Sequence, residues 1–229
     1  MELVEREEEI LRILNRLKNM DFVLVGGYAV SSLTMHRFSV DCDLVVSRSL
    51  DRIKSILKKE GYEPQIKKEG FDSLYGGRFE NYIKKINKTS VTVDLLINSL
   101  VSRGTNASWG FDYIKKHSVI AETGTPHIKC AIPEKELLVA MKIHSGRRAD
   151  IRDIIMLREG CDLDKVLSHL KRGDMKLLRD KINRILETLD DEKLTDSLKG
   201  VFRLERDVER DIKRAKTLIS RLKKLLPQQ

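Results

Sequence analysis

Apolar positions change their period near the middle of this chain. Leu3, Ile10, Leu11, Leu14 and Leu17 stand among charges at helical spacing and predict a helix over Leu3–Leu17. The run Phe22–Val25 ends in Gly26-Gly27 and reads as a short buried strand entering a tight loop. Ala29, Val30 and Leu33 give Tyr28–Met35 one apolar face, again helical. Asp41–Ser47 is β-branched and apolar toward its end, a second strand. Ser49 or Asp51 can cap a helix over Ile53, Ile56 and Leu57, which Gly61 stops.

Strands are expected at Tyr62–Lys67, at Leu74–Ile86 (interrupted by Gly76-Gly77) and at Ser90–Ile97. In the last, Val91, Val93, Leu95 and Ile97 alternate with Thr92, Asp94 and Leu96, so Asp94 lies opposite the valines. A strand near His127–Ala131 reaches Pro133, which fits the first turn of a helix, with Glu134 and Glu136 favourable at its positive end. Beyond it the pattern is helical throughout: Glu134–His144, Asp150–Glu159, Asp162–Lys171, Asp174–Leu189 and one long helix from Leu198 to Leu226. Leu204, Val208, Ile212, Ala215, Ile219 and Leu222 form a narrow seam on that last helix, suited to its own domain's core or to a partner helix. The expected fold class is α/β of the α+β kind, a mixed sheet flanked by helices and followed by a C-terminal helical domain. The expected division is a core over 1–132 and a helical domain over 133–229.

Composition narrows the class. With 229 residues, 41% hydrophobic and 34% charged, the chain can bury a real core and is not disordered by composition. No apolar run approaches the roughly 18–20 residues of a spanning helix. The acidic start MELVEREEEI has no apolar signal core, so a cytoplasmic protein without a membrane partner is expected. Cys42, Cys130 and Cys161 are odd in number and widely spaced, which reads as small buried apolar residues rather than disulfides. His36, His117, His127, His144 and His169 lack zinc-site spacing. The net charge of +9 lies mainly beyond residue 130, where 24 basic face 18 acidic side chains. A solvated surface accounts for such an excess, and so does an RNA or phosphate contact.

Candidate chemistry concentrates in Val23–Val46. A strand ends in Gly-Gly, a helix starts, and after thirteen intervening residues Asp41-Cys42-Asp43 follows on a second strand. Strand period puts both carboxylates on one face and Cys42 on the other. Like charges so close call for a cation, and hard oxygen ligands at this spacing suit Mg²⁺. Asp94 offers a third carboxylate from another apolar strand. Glycines at a helix start let phosphates approach backbone N–H groups. Taken singly, each feature has an ordinary reading as a turn, a cap or a surface pair. Tyr75, Arg78 and Tyr82 can face a base or sugar or can simply pack the strand, and His36 or Arg37 can reach a phosphate, Arg37 better because it stays charged.

In this order and spacing the set resembles the polymerase-β-like nucleotidyltransferase superfamily: a hydrophobic residue, Gly-Gly, a spacer, Asp-x-Asp and a later carboxylate. The resemblance implies a nucleotidyltransferase-like fold and an enzyme using an NTP with Mg²⁺ or Mn²⁺. It places Gly26 and Gly27 at the phosphates, Asp41 and Asp43 on metal, and Asp94 as third ligand or as base for the attacking hydroxyl. Lys142, followed by Arg147, Arg148, Asp150 and Asp153, together with Arg37-x-Ser39, is similar to the AbiEii-type nucleotidyltransferases, the toxin side of type IV toxin–antitoxin systems. By that resemblance Lys142 contacts phosphates, Asp150 and Asp153 hold or orient site groups, and Arg147 supports them. A tRNA or other RNA, a protein or a small molecule would accept the nucleotide, and an antitoxin would be the cognate partner. The alternative is an inactive member that binds nucleotide or RNA as a regulatory or partner-binding module.

Overall fold

The computed structural model describes residues 2–227 except Ser73, Tyr75, Pro126 and Arg206, and describes Phe71 by its backbone alone. The chain divides into two compact units. The first comprises Met1–Leu33, Arg37–Val101 and Ser108–Pro133, and the second Thr34–His36, Ser102–Ala107 and Glu134–Gln229.

The first unit is built on five strands: β1 (Phe22–Val25), β2 (Asp41–Val46), β3 (Glu63–Asp72), β4 (Gly77–Ile86) and β5 (Thr89–Ile97). They form one mixed sheet in the order β1-β2-β5-β4-β3. Only β2 and β5 run parallel; the other neighbours are antiparallel. Helix α1 (Glu2–Leu17) packs on β5 and on α3 (Leu50–Lys59), while α2 (Gly26–Leu33) packs on β1 and β2. Alternation along β5 decides which face is covered: Val91, Val93, Leu95 and Ile97 are fully buried, and Thr92, Asp94 and Leu96 are half-buried on the other face. Ile10, Ile13, Leu14 and Leu17 of α1 join that core. Each such side chain contributes roughly 1.5–3 kcal/mol by leaving water. Leu3 is exposed, and the buried stripe of α1 begins at Glu9 rather than at its first residues. Ser49 precedes α3 without a side-chain cap bond to it; its hydroxyl accepts instead from the Asp21 N–H at 3.1 Å.

The stretch from Ser99 to Thr123 carries no predicted element. The structure fills it with β6 (Ser99–Ser102), β7 (Ala107–Gly110), α4 (Phe111–Lys116) and β8 (Ser118–Thr123). These pieces are too short for a period to declare itself. Strand β8 pairs antiparallel with β9 (Ile128–Pro133). Pro133 corrects the sequence expectation: it is the last residue of β9, opposite Ser118, and Glu134 is the residue preceding the helix.

The second unit is helical: α5 (Lys135–Ser145), α6 (Arg148–Leu157), α7 (Leu163–Leu170), α8 (Met175–Leu189), α9 (Lys193–Phe202) and α10 (Glu209–Leu225). Helix α5 is buried from Leu137 to His144, as a central helix is, with α6, α7 and α8 packed around it. The long helix expected from Leu198 to Leu226 is two helices. Arg203 adopts a left-handed φ of 51°, the Leu204 N–H returns to the Lys199 carbonyl, and Asp207 accepts from the Glu209 N–H to open α10. Leu204 and Val208 are still buried, but from the connection rather than from a helix. Ala215, Ile219 and Leu222 pack inward, and α10 rests on α6, α7 and α8 of its own unit. Cys42 and Cys130 are buried, whereas Cys161 is only half-buried and its thiol points to the Leu157 carbonyl at 3.2 Å.

His144, fully buried in α5, reports on pH. Its Nε2 lies 2.9 Å from the Leu170 carbonyl, which can only accept, so Nε2 carries the proton and Nδ1 accepts from Thr105 at 2.7 Å. Burial pushes its pKa down to about 4 from 6.5. Above pH 6.5 both folded and unfolded chains hold it neutral. Below that the unfolded chain takes the proton first, so stability falls as pH drops toward 4, by up to about 3 kcal/mol. Urea midpoints between pH 7.5 and 5 are expected to decline in the parent chain and to flatten in His144→Gln.

Candidate active site

Strand β1 is buried throughout and delivers the chain to Gly26, whose φ is +67°. Val25 pairs with Asp43, so the turn passes directly over that carboxylate. A Cβ on Gly26 would lie 2.0 Å from Asp43 Oδ2. On Gly27 it would lie 2.4 Å from Ser39 Oγ and 3.0 Å from Arg37 Nη2. The two glycines are therefore set by the first unit's acidic strand and by the Arg37-x-Ser39 segment, besides opening α2. Ser31 Oγ ties that segment back to α2, donating to the Arg37 carbonyl at 3.2 Å.

In the parallel β2–β5 ladder Asp43 stands opposite Asp94, and Asp41 opposite Thr92. Adjacent strands lie about 4.8 Å apart, so residues in register on one face are neighbours. Cys42, opposite Val93, points into the core and is fully buried. The Thr92 hydroxyl donates to Asp41 Oδ1. From the antiparallel side β4 brings Asn81 opposite Asp94, and the Asn81 amide donates to Asp94 Oδ1. Burial raises the Asp94 carboxyl above its ordinary range, the Asn81 bond opposes that shift, and the charge of Asp41 adds to it.

This donor set fits a hard divalent cation: three carboxylates on one face, with neutral groups bonded to Asp41 and Asp94, so that their charge is left for a ligand. The set is open. The oxygens of Asp41, Asp43 and Asp94 do not all lie within 4.8 Å of one another. Thr92 holds Asp41, and the like charges repel one another.

Lys142, Arg147, Asp150 and Asp153 all lie in the second unit. Lys142 Nζ sits 2.9 Å from Asp150 Oδ1 and 2.8 Å from Asp153 Oδ2, all three nearly excluded from water. Burial works against the ammonium, but Asp153 and Asp150 outweigh it and raise its pKa. Burial likewise opposes the Asp150 carboxylate, and Lys142 and Arg147 hold it well below the usual range. Asp150 Oδ2 also accepts from Ser145 Oγ at 2.7 Å and Arg147 Nε at 2.8 Å, closing the turn at Gly146 between α5 and α6. Arg148 pairs with Asp191 at 2.8 Å.

The structure thus collects the predicted residues into two sets: Gly26, Gly27, Arg37, Asp41, Asp43 and Asp94 in one unit, and Lys142, Arg147, Asp150 and Asp153 in the other. Tyr82 stands opposite Val93 on the buried face and donates to Glu80 at 3.2 Å, so it packs the strand. Tyr75 lies outside the described residues. Thr92 and Asn81 are additions. Thr92 was open to the period-two argument, two residues before Asp94, whereas Asn81 emerges only from the β4–β5 register.

A family model described as uncharacterised nucleotidyltransferase matches residues 7–190. The chain belongs to that family. The match spans both sets of residues, and nucleotidyltransferases of this kind generally use an NTP with a divalent metal. No curated protein matches the chain in sequence. Among solved structures, a Helicobacter pylori protein is 18% identical over 98% of this chain and 96% of its own, with a TM-score of 0.49. JHP933, also from Helicobacter pylori, is 19% identical over 98% and 93%, with a TM-score of 0.48. ANT(2")-Ia, solved with adenylyl-2"-tobramycin, is 15% identical over 86% and 95%, with a TM-score of 0.39. Among the described residues no helix is long and apolar enough to cross a membrane.

Proposed function

We propose that this chain is an active, cytoplasmic nucleotidyltransferase that uses Mg²⁺ or Mn²⁺ to move a nucleotide from an NTP to an acceptor hydroxyl. The reading is carried by one observation: Asp43, directly beneath Gly26, shares a register with Asp94 on the adjoining parallel strand. Residues 1–132 form the catalytic core in this reading, and 133–229 a helical domain. Asp41, Asp43 and Asp94 hold the metal, which supplies a positive clamp on the phosphate oxygens at the reacting centre. Gly26 and Gly27 offer backbone N–H groups to phosphates at the α2 N-terminus, and Arg37 adds a fixed charge beside them. Asp94 is the third ligand or the base that takes the proton of the attacking hydroxyl. Lys142 serves the nucleotide phosphates, with Asp150 and Asp153 orienting it and Arg147 supporting Asp150.

The finer assignment is an AbiEii-like toxin acting on tRNA, another RNA or a protein, and restrained by a cognate antitoxin. The basic excess beyond residue 130 favours an RNA acceptor. Each labelled NTP is incubated with purified protein, Mg²⁺ and total RNA, and label is expected on RNA or on protein. Absence of labelling with all four NTPs and several acceptors would overturn the reading.

A further inference from the structure

Asn81 is out of place by composition. Asparagine is depleted in strand interiors, and a buried amide costs free energy unless it is bonded. Asn81 is 9% exposed in the middle of β4, and among the described residues its side chain has one bonding partner, Asp94. On the Asp94 carboxylate only Oδ1 is engaged, which leaves Oδ2 without a protein partner among the described residues.

We infer that Asn81 is a positioning residue: it fixes the Asp94 carboxylate so that Oδ2 stays available to the cation. The proposal rests on reading Asp94 as a cation ligand. A neutral donor is the informative choice at this place. A lysine or arginine opposite Asp94 would give a stronger, charge-assisted bond, but would consume the charge that a cation needs. An apolar residue would leave the charge and lose the orientation. Asparagine holds the carboxylate and leaves its charge intact. Outer partners of metal-bound carboxylates typically change metal affinity by about 10–100-fold when removed.

The test measures Mn²⁺ binding to the full chain by electron paramagnetic resonance, with a non-hydrolysable NTP analogue present. Asn81→Leu is expected to weaken Mn²⁺ binding at least tenfold, and raising Mn²⁺ is expected to recover much of its nucleotidyl transfer. Asn81→Lys is expected to melt no lower than the parent yet to lose Mn²⁺ binding, which separates charge from folding. Parent-like Mn²⁺ binding in both variants would overturn the inference and leave Asn81 a packing residue. Asp94→Asn is the control for the underlying reading. If it binds Mn²⁺ like the parent, Asp94 is no ligand and both ideas fail. If it loses Mn²⁺ while the Asn81 variants do not, only the role of Asn81 is lost.

Discussion

Asp94→Asn is expected to lower nucleotidyl transfer by about 100- to 1,000-fold while the protein melts at the same temperature or higher. The two halves of that result have one cause. A half-buried carboxylate whose pKa is raised chiefly by burial is paying desolvation to stay ionised. An amide of the same shape avoids that cost and can still accept from Asn81. Removing one fixed charge at a reacting centre has the quoted effect when it acts mainly on the transition state. Steady-state rates at saturating NTP and Mg²⁺, with thermal melts of the same samples, check both halves. A variant with the parent's rate would remove Asp94 from the chemistry. A variant inactive only because it melts early would make Asp94 structural.

That juxtaposition was half legible in the sequence. Asp41-Cys42-Asp43 announces its two faces because strand alternation is local, and Asp94 stands out because a charge interrupts an apolar alternation. Gly26-Gly27 was legible as a turn at a helix start. The reason no side chain fits there was not, since it lies in contacts with Asp43 and with Ser39. Those contacts depend on β1 pairing with β2, a tertiary fact. Asn81 was invisible for the same reason: a polar residue in a strand acquires meaning only once register sets it opposite Asp94.

The helical half failed in another way. The apolar seam from Leu204 to Leu222 keeps its spacing across the real break, because residues in a tight connection can also point into a core. The acids at Glu205, Asp207 and Glu209 were the available signal, since they favour a helix N-terminus. Asp207 does open α10. Lys142 through Asp153 was legible as a charged segment at the α5–α6 turn, but its burial was not.

Lys142→Met carries the largest expected effect on stability. It takes from Asp150 and Asp153, each about 1% exposed, the ammonium they share, while Arg147 stays on Asp150. Breaking a buried pair by removing one partner typically costs about 3–5 kcal/mol. The pH dependence should weaken with it. In the parent, the depressed Asp150 pKa contributes stability that is present above the ordinary carboxylate range and is lost as pH falls. In Lys142→Met that contribution shrinks, because the ammonium is one of the groups that hold the Asp150 pKa down. Adding Asp150→Asn and Asp153→Asn to Lys142→Met removes both carboxylate charges with the ammonium and is expected to recover most of the loss. That triple variant also separates fold from chemistry: it would retain NTP-induced thermal stabilisation if Lys142 only ties α5 to α6, and lose it if Lys142 serves the phosphates. A Lys142→Met midpoint within about 1 kcal/mol of the parent would mean that water reaches this cluster far more freely than its burial implies.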